Sequence, residues 1–281
     1  MFESITIVVP TYWGRASADA ARVSDGIFDH PTPIDGESTL PRLLDSLAQL
    51  ETDTPPFNVL VLVAAVDDSL EGAALERVQA MAGTYTLPIY TFGGHDLRQW
   101  QIHLDPGQDL LGMDTYARIR NGQLLAPQVM GAEVVIALDD DEVVEPDFVK
   151  RAVAHDSLGL AGIYVDGAGS PWLPEGDVTG NPYLDKPKIM NDGLRGLMHS
   201  DAVLPVTPIA YGGNMVFRRE LWQTVPFDPG ITRGEDIDYV LNAKLQGFDF
   251  HLDKDLKIIH LPPDHYNTPP FVKLSEDVRR F

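Results

Sequence analysis

Three places in the sequence gather residues able to do chemistry. Asp139-Asp140-Asp141 directly follows an apolar run at 134–138. Carboxylates packed at the end of a buried strand are costly unless a cation neutralises them. Divalent ions that take oxygen ligands, Mg2+ or Mn2+, suit such a set best. The competing explanation is a solvated acidic turn, common in a chain as acidic as this one. An EF-hand is excluded, because Val143 and Val144 stand where that loop needs ligands and a glycine. The second place is Arg233-Gly234-Glu235-Asp236, just ahead of a helical pattern at 237–245. A helix dipole favours carboxylates there, so plain N-capping also accounts for Glu235 and Asp236. The third is His260, which ends an apolar strand and precedes Leu261-Pro262-Pro263. A lone histidine in that position is more often a packed core residue than a ligand.

Elements must hold these residues in place. Residues 5–9 read as a buried strand ended by Pro10, and 15–38, rich in Gly, Pro and Asp, as a long loop. Leu40, Leu43, Leu44, Leu47 and Leu50 fall at helical spacing, with Ser38 or Thr39 as cap and Pro41 in the first turn. The apolar stretch 59–66 predicts a strand covered on both faces. A helix follows at 70–82, then a strand at 87–92. Residues 93–113 show no clear period, 116–130 read as a helix, and 134–138 as another buried strand. This alternation predicts an α/β fold with an open, mostly parallel sheet. Ligands of such sheets bind at the carboxyl ends of the strands. Pro10-Thr11-Tyr12, Asp67-Asp68 and the acidic run all fall at such ends. In the second half, 166–208 reads as a long loop of the kind that serves function. Order returns at 209–217, with helices at 219–224 and 237–245 and a strand ending at His260. No internal repeat or low-complexity tract interrupts the chain.

Composition narrows the function classes. Among 281 residues there is no cysteine, which excludes disulfides, zinc–thiolate sites, iron–sulfur clusters and thiol nucleophiles. The net charge of −21, without a basic stripe, argues against nucleic-acid binding. An anionic substrate could enter that field only beside a metal ion or local arginines. No apolar run is long enough for a transmembrane segment. The N-terminus lacks a signal peptide's basic region, so a cytoplasmic location is expected. Association into a homo-oligomer is left open.

The motifs also occur in a telling order: strand-end Pro10-Thr11-Tyr12, Asp67-Asp68, Arg120-Asn121, Asp139–Asp141, Gly212-Gly213-Asn214, Gly234-Glu235-Asp236 and His260. That order, over residues 5–260, resembles the GT-A fold glycosyltransferases, especially the family 2 type. The resemblance implies a single Rossmann-like domain with an open mixed sheet flanked by helices. Residues 1–150 would be its nucleotide-sugar (donor) half, and 151–281 its acceptor and catalytic half. It further implies that Pro10, Thr11 and Tyr12 line the base and ribose, and that Asp67 or Asp68 accepts a hydrogen bond from the base. Arg120 or Arg118, with Asn121, would meet the donor, as would Asp140, Gly213 and Asn214. Asp139 would lie by the ribose and the metal. Asp141 would bind Mn2+ or Mg2+ across the diphosphate, with His260 as a further ligand. Asp236, beside Glu235, would be the general base of an inverting transfer to an acceptor hydroxyl.

Several readings compete with this one. Retaining relatives that make glycerate-type compatible solutes share the Asp-x-Asp and late histidine. A nucleotidyltransferase would need a glycine-rich basic loop after the first strand, which Pro10-Thr11-Tyr12-Trp13-Gly14-Arg15 matches poorly. A non-catalytic sugar-nucleotide or calcium-binding module would show a damaged acidic motif. The sequence departs from the family pattern in its long segment after Tyr12, in residues 93–113, and in ending at Phe281 where larger relatives continue. Trp13, Trp100 and Trp172 are candidates to stack on sugars, and His265 and Tyr266 to close over the site. Residues 166–208 are expected to border the acceptor side of the pocket.

Overall fold

Ten consecutive buried residues, Ile5–Gly14, form the central strand β1 in the computed structural model. The residues described are 4–17, 19, 28, 30–103, 107–171, 179–180, 185–231 and 233–262. Pro10 therefore lies inside the strand and does not end it. The neighbour on one side, β5 (Val134–Ala137), pairs with β1 only as far as Val8. Val8 O points to that side, since it accepts from Leu138 N at 3.2 Å. Strand alternation turns position 10 the same way, past the end of β5, where no ladder bond is lost for want of an N–H.

The other strands are β2 (Thr32–Pro33), β3 (Phe57–Ala65), β4 (Ile89–Gly93), β6 (Glu142–Val144), β7 (Gly159–Val165), β8 (Met215–Arg218) and β9 (Phe250–His260). The sheet runs β4-β3-β1-β5-β8-β7-β9-β6, with β2 added to β1. Strands β4, β3, β1 and β5 are parallel, and β8 and β6 are antiparallel insertions. Strand order reverses between β1 and β5, the crevice where ligands of open α/β sheets bind.

Helices cover both faces. Side chains alternate along β1, so Ile7 and Val9 meet one apolar cluster and Val8 the other. Helices α1 (Leu40–Ala48), α2 (Glu71–Ala82) and α5 (Phe148–Ala152) pack on the Ile7 face. Helices α4 (Tyr116–Val129), α7 (Arg219–Thr224) and α8 (Glu235–Leu245) pack on the Val8 face. Among the described residues, no helix is long and apolar enough to cross a membrane.

Three further expectations need correction. Residues 93–113 are not irregular: α3 (Gly94–His103) and a short 3-10 turn at Gly107–Leu110 occupy most of them. The supposed loop 166–208 contains the 13-residue helix α6 (Lys186–Met198). Trp13, expected in a loop, is fully buried in β1, with the Arg77 guanidinium 5.1 Å from its ring centre. Trp100 packs on Phe92, ring centres 4.7 Å apart. Trp172, His265 and Tyr266 lie outside the described residues.

Candidate active site

After β5 the chain turns through Asp139-Asp140-Asp141 straight into β6. Antiparallel pairing of β6 with β9 sets Glu142 opposite His260. Leu261 N donates to Asp141 O at 2.9 Å, and Arg42 of α1 donates to Leu261 O and, at 3.4 Å, to Asp141 O. Strand register thus delivers His260 to the acidic turn: its Nε2 lies 3.3 Å from Asp141 Oδ2. The imidazole ends an aromatic stack, its ring 4.9 Å from Tyr164, which in turn stacks on Tyr211 at 4.3 Å. Burial works to raise the Asp141 carboxyl, but the His260 imidazole, His30 and a backbone N–H together outweigh it and hold that group below the usual carboxylate range. Burial likewise works to lower His260, and Asp141 reverses the sign.

The three aspartates have different surroundings. Asp140 turns inward and accepts the Thr11 hydroxyl at 2.6 Å, while burial and the neighbouring Asp141 push it up to about 7. Asp139 accepts from Arg120 Nη2 at 3.3 Å on Oδ2, with the same nitrogen 3.0 Å from Oδ1. Arg120 is 4% exposed and also reaches Glu235, 3.4 Å away, and Gln123, 3.0 Å away. It is a strut joining the acidic turn to the start of α8. Gly234, at φ +70°, makes the left-handed turn that starts α8 with Glu235 and Asp236. Burial and the adjacent Asp236 push Glu235 up to about 7, against the pull of Arg120. Asp236 Oδ2 accepts Gly212 N–H at 3.2 Å, and Oδ1 accepts Ile237 N–H at 2.8 Å.

A cavity of about 550 Å³ opens among these groups. Asp139, Asp140, Asp141, Glu235, Asp236 and His260 all line it, along with Tyr12, Arg120, Gly212 and Arg233. His30, Tyr116, Tyr164 and Tyr211 line it too, and sequence reasoning had singled out none of them. His30 lay in a stretch read only as a loop, and the three tyrosines, in a helix, a strand and a loop, carry no motif.

Other expected donor residues sit elsewhere. Asp67 is bonded to Arg15 at 2.8 Å and caps a short 3-10 turn through Ser69 N. Asp68 and Arg118 line a second cavity of about 460 Å³, together with Phe28 and Arg98. Phe28 packs on Tyr12 and Tyr116, ring centres 4.6 and 5.7 Å apart, so an aromatic trio stands between the two cavities. Pro10 and Thr11 do not line either cavity. Asn121 is a structural tie: its Nδ2 donates to Leu110 O and Phe227 O at 2.9 Å each, and its Oδ1 accepts Phe227 N–H. Asn214 Nδ2 donates to Ile163 O and Leu256 O, at 3.2 and 3.1 Å. Gly213 is a packing glycine. A Cβ there would collide with Glu142 Oε1 and lie 2.6 Å from Asp139 Oδ2 and 2.7 Å from the Tyr164 hydroxyl. Among the described residues of 166–208, none lines the main cavity.

The donors present can be tested against a divalent cation. Asp139 Oδ1, Asp141 Oδ2 and Glu142 Oε1 are buried carboxylate oxygens that accept no well-formed hydrogen bond, although Arg120 Nη2 lies 3.0 Å from the first and His260 Nε2 3.3 Å from the second. Buried acceptors left in that condition are rare and costly. Among the described residues, no group of three or more His, Asp or Glu side chains is arranged to hold a metal ion. The donor types and the orphaned oxygens fit a cation, although the side chains do not form a closed shell.

No family model matches the sequence. Solved structures do match. One is the mannosyltransferase PcManGT from Pyrobaculum calidifontis in complex with GDP-Man and Mn2+, at 15% identity and TM-score 0.53, over 98% of this chain and 62% of that one. Another is GalNAc-T7 with UDP, GalNAc and Mn2+, at 12% identity and TM-score 0.54, over 92% of this chain and 44% of that one. The chain thus spans less than two thirds of the length of these proteins. At such identities the likeness establishes the fold, which is that of the GT-A glycosyltransferases: one mixed Rossmann-like sheet flanked by helices.

Proposed function

We propose that this protein is a metal-dependent glycosyltransferase that moves a sugar from a nucleotide-diphosphate sugar to an acceptor hydroxyl. The observation that carries the reading is the main cavity. It sits at the carboxyl ends of the central strands of a GT-A fold and gathers Asp139–Asp141, His260 and the Glu235-Asp236 pair. The solved neighbours bound to GDP-Man or UDP with Mn2+ lend support. Asp141, Asp139 and His260 would hold a divalent cation, Mn2+ or Mg2+. When bound, such an ion stabilises the negative charge that builds on a diphosphate leaving group.

The chain's own residues have separate tasks. Arg120 fixes the Asp139 carboxylate and the start of α8 in one geometry. Asp68 and Arg118 form a second cavity beside the first, suited to the base end of the donor. Asp236 would accept the acceptor hydroxyl's proton as that oxygen attacks the anomeric carbon and the nucleoside diphosphate departs from the opposite face. Inversion of the anomeric centre follows from that arrangement.

Turnover of a panel of nucleotide sugars with Mn2+ tests the reading, with Asp236→Asn as the diagnostic variant. It should lower turnover by roughly 10²–10⁴, the usual worth of a general base, with donor affinity nearly intact. NMR of the wild-type product should show the inverted anomer. Undiminished turnover with retained configuration would make Asp236 a binding residue and favour the retaining, glycerate-type alternative. Failure to bind any nucleotide sugar would remove the assignment altogether.

A further inference from the structure

We propose that the second cavity recognises guanine, so that the donor is a GDP-sugar. The inference rests on the transferase reading above and adds the identity of the base to it. The cavity lies beside the main one, past the Tyr12–Phe28–Tyr116 trio, and α2, α3 and α4 bring polar groups to its wall. Arg98 of α3 meets Glu71 of α2 fork to fork, Nη1 at 3.0 Å from Oε1 and Nη2 at 2.6 Å from Oε2. Arg118 of α4 donates from Nη1 to Asp114 at 3.0 Å. A glycine backs each pair. A Cβ at Gly94 would collide with the Glu71 carboxylate, and one at Gly112 with that of Asp114. Both glycines line the cavity, so each ion pair is packed into its wall. Phe28, Leu97 and Leu111, all buried, add apolar surface for the face of a base.

The polar groups decide which base fits. Asp68 and Asp109 also line the cavity and stand outside the two pairs. Asp109 belongs to the 3-10 turn Gly107–Leu110, which Asn121 ties to α4 by donating to Leu110 O at 2.9 Å. The wall therefore offers guanidinium forks and a surplus of carboxylates. A fork is matched by two adjacent acceptors, and a carboxylate by two adjacent donors. Guanine carries both, with O6 beside N7 and N1–H beside the N2 amino group. Uracil has a single N–H between two carbonyls, so a carboxylate at that edge meets repelling oxygens on both sides. Adenine and cytosine each set one amino group beside a ring nitrogen, whose lone pair also repels a carboxylate. Asp68 and Asp109 thus suit the N1–H and N2–H edge, and Arg118 the O6 and N7 edge. Volume does not discriminate, because about 460 Å³ admits a pyrimidine as well as a purine.

Calorimetric titration of GDP, IDP, UDP, ADP and CDP into the full chain with Mn2+ tests this. GDP should bind at least about tenfold more tightly than UDP, ADP or CDP. IDP, which lacks only the N2 amino group, should bind at least about threefold more weakly than GDP. Asp68→Asn combined with Asp109→Asn should bring GDP to within about threefold of UDP. Both positions are exposed, circular dichroism reports whether the fold is intact, and each single variant should move the ratio the same way. UDP, ADP or CDP binding as tightly as GDP overturns the proposal and leaves the transferase reading standing. So does IDP equal to GDP, or a GDP preference that survives the single and double variants. Binding of none of the nucleotides overturns both readings. A GDP preference that the variants erase, in a protein that neither transfers nor hydrolyses any nucleotide sugar, would uphold the guanine site and remove the transferase reading.

Discussion

Arg120 is the cation on which the buried carboxylates of the site depend. It contacts both Asp139 and Glu235 with almost no exposure of its own. Arg120→Met should cost about 3–5 kcal/mol, because it leaves the buried Glu235 and the half-buried Asp139 without their cation. Urea unfolding would measure the loss, and adding Glu235→Gln should restore part of it. Glu235 also ties stability to pH. Its carboxyl, about 7 in the folded protein against an ordinary 4.5, binds a proton more readily when folded. Folded protein therefore holds the extra proton between those values, and stability falls as pH rises from about 4.5 through 7. Glu235→Gln should lack that component. Its stability relative to wild type should climb across the window by about 1–3 kcal/mol, read from the slope of unfolding free energy against pH.

At the scale of elements, register does the positioning, and β9 is the strand that matters. Its pairing with β7 slips between Ala161 and Ile163. Asn214 fills the irregularity by donating to Ile163 O and Leu256 O. Gly162 is required beside it, since a Cβ there would collide with Leu256 O and Asn214 Nδ2. Asn214→Leu should destabilise by about 1–3 kcal/mol for each carbonyl left unpaired. Thermal unfolding and faster amide exchange along β9 would register the change.

Much of this framework was legible in the sequence because its signals are local. Uninterrupted apolar runs announced β1, β3 and β5, and leucine spacing announced α1. Helix α6 escaped because Pro187, Gly193 and Gly196 break its pattern. Gly193 sits close to Ile209, whose Cδ1 would stand 3.1 Å from a Cβ there. Helix α3 escaped because its buried face is thin, and β6 because it is three residues inside an acidic run. In the site, Asp139–Asp141 and His260 were readable as polar groups ending apolar runs, and the Glu235-Asp236 pair as carboxylates just ahead of a helical pattern. Asn121, Gly213 and Asn214 looked like ligand-binding motif residues, yet their roles are backbone ties and close packing. That distinction needs three-dimensional neighbours. So does His30, an ordinary residue until the fold sets it beside Asp141.

For the whole molecule, charge is the governing fact. A chain with a net charge of −21 presents an anionic donor with a cavity walled by carboxylates. Arg120 lines that cavity but is already engaged by Asp139 and Glu235. Neutralisation by a divalent ion at Asp141 is thus the central claim of the account. Calorimetric titration of UDP and GDP into the full chain, with Mn2+ and again with EDTA, tests it most directly, and Asp141→Asn is the control. The account predicts measurable binding of at least one nucleotide with Mn2+. It predicts loss of that binding in EDTA, and a drop of at least about tenfold in the folded variant. Equal affinity with Mn2+, with EDTA and in Asp141→Asn would contradict it, and would make the acidic run a solvated turn.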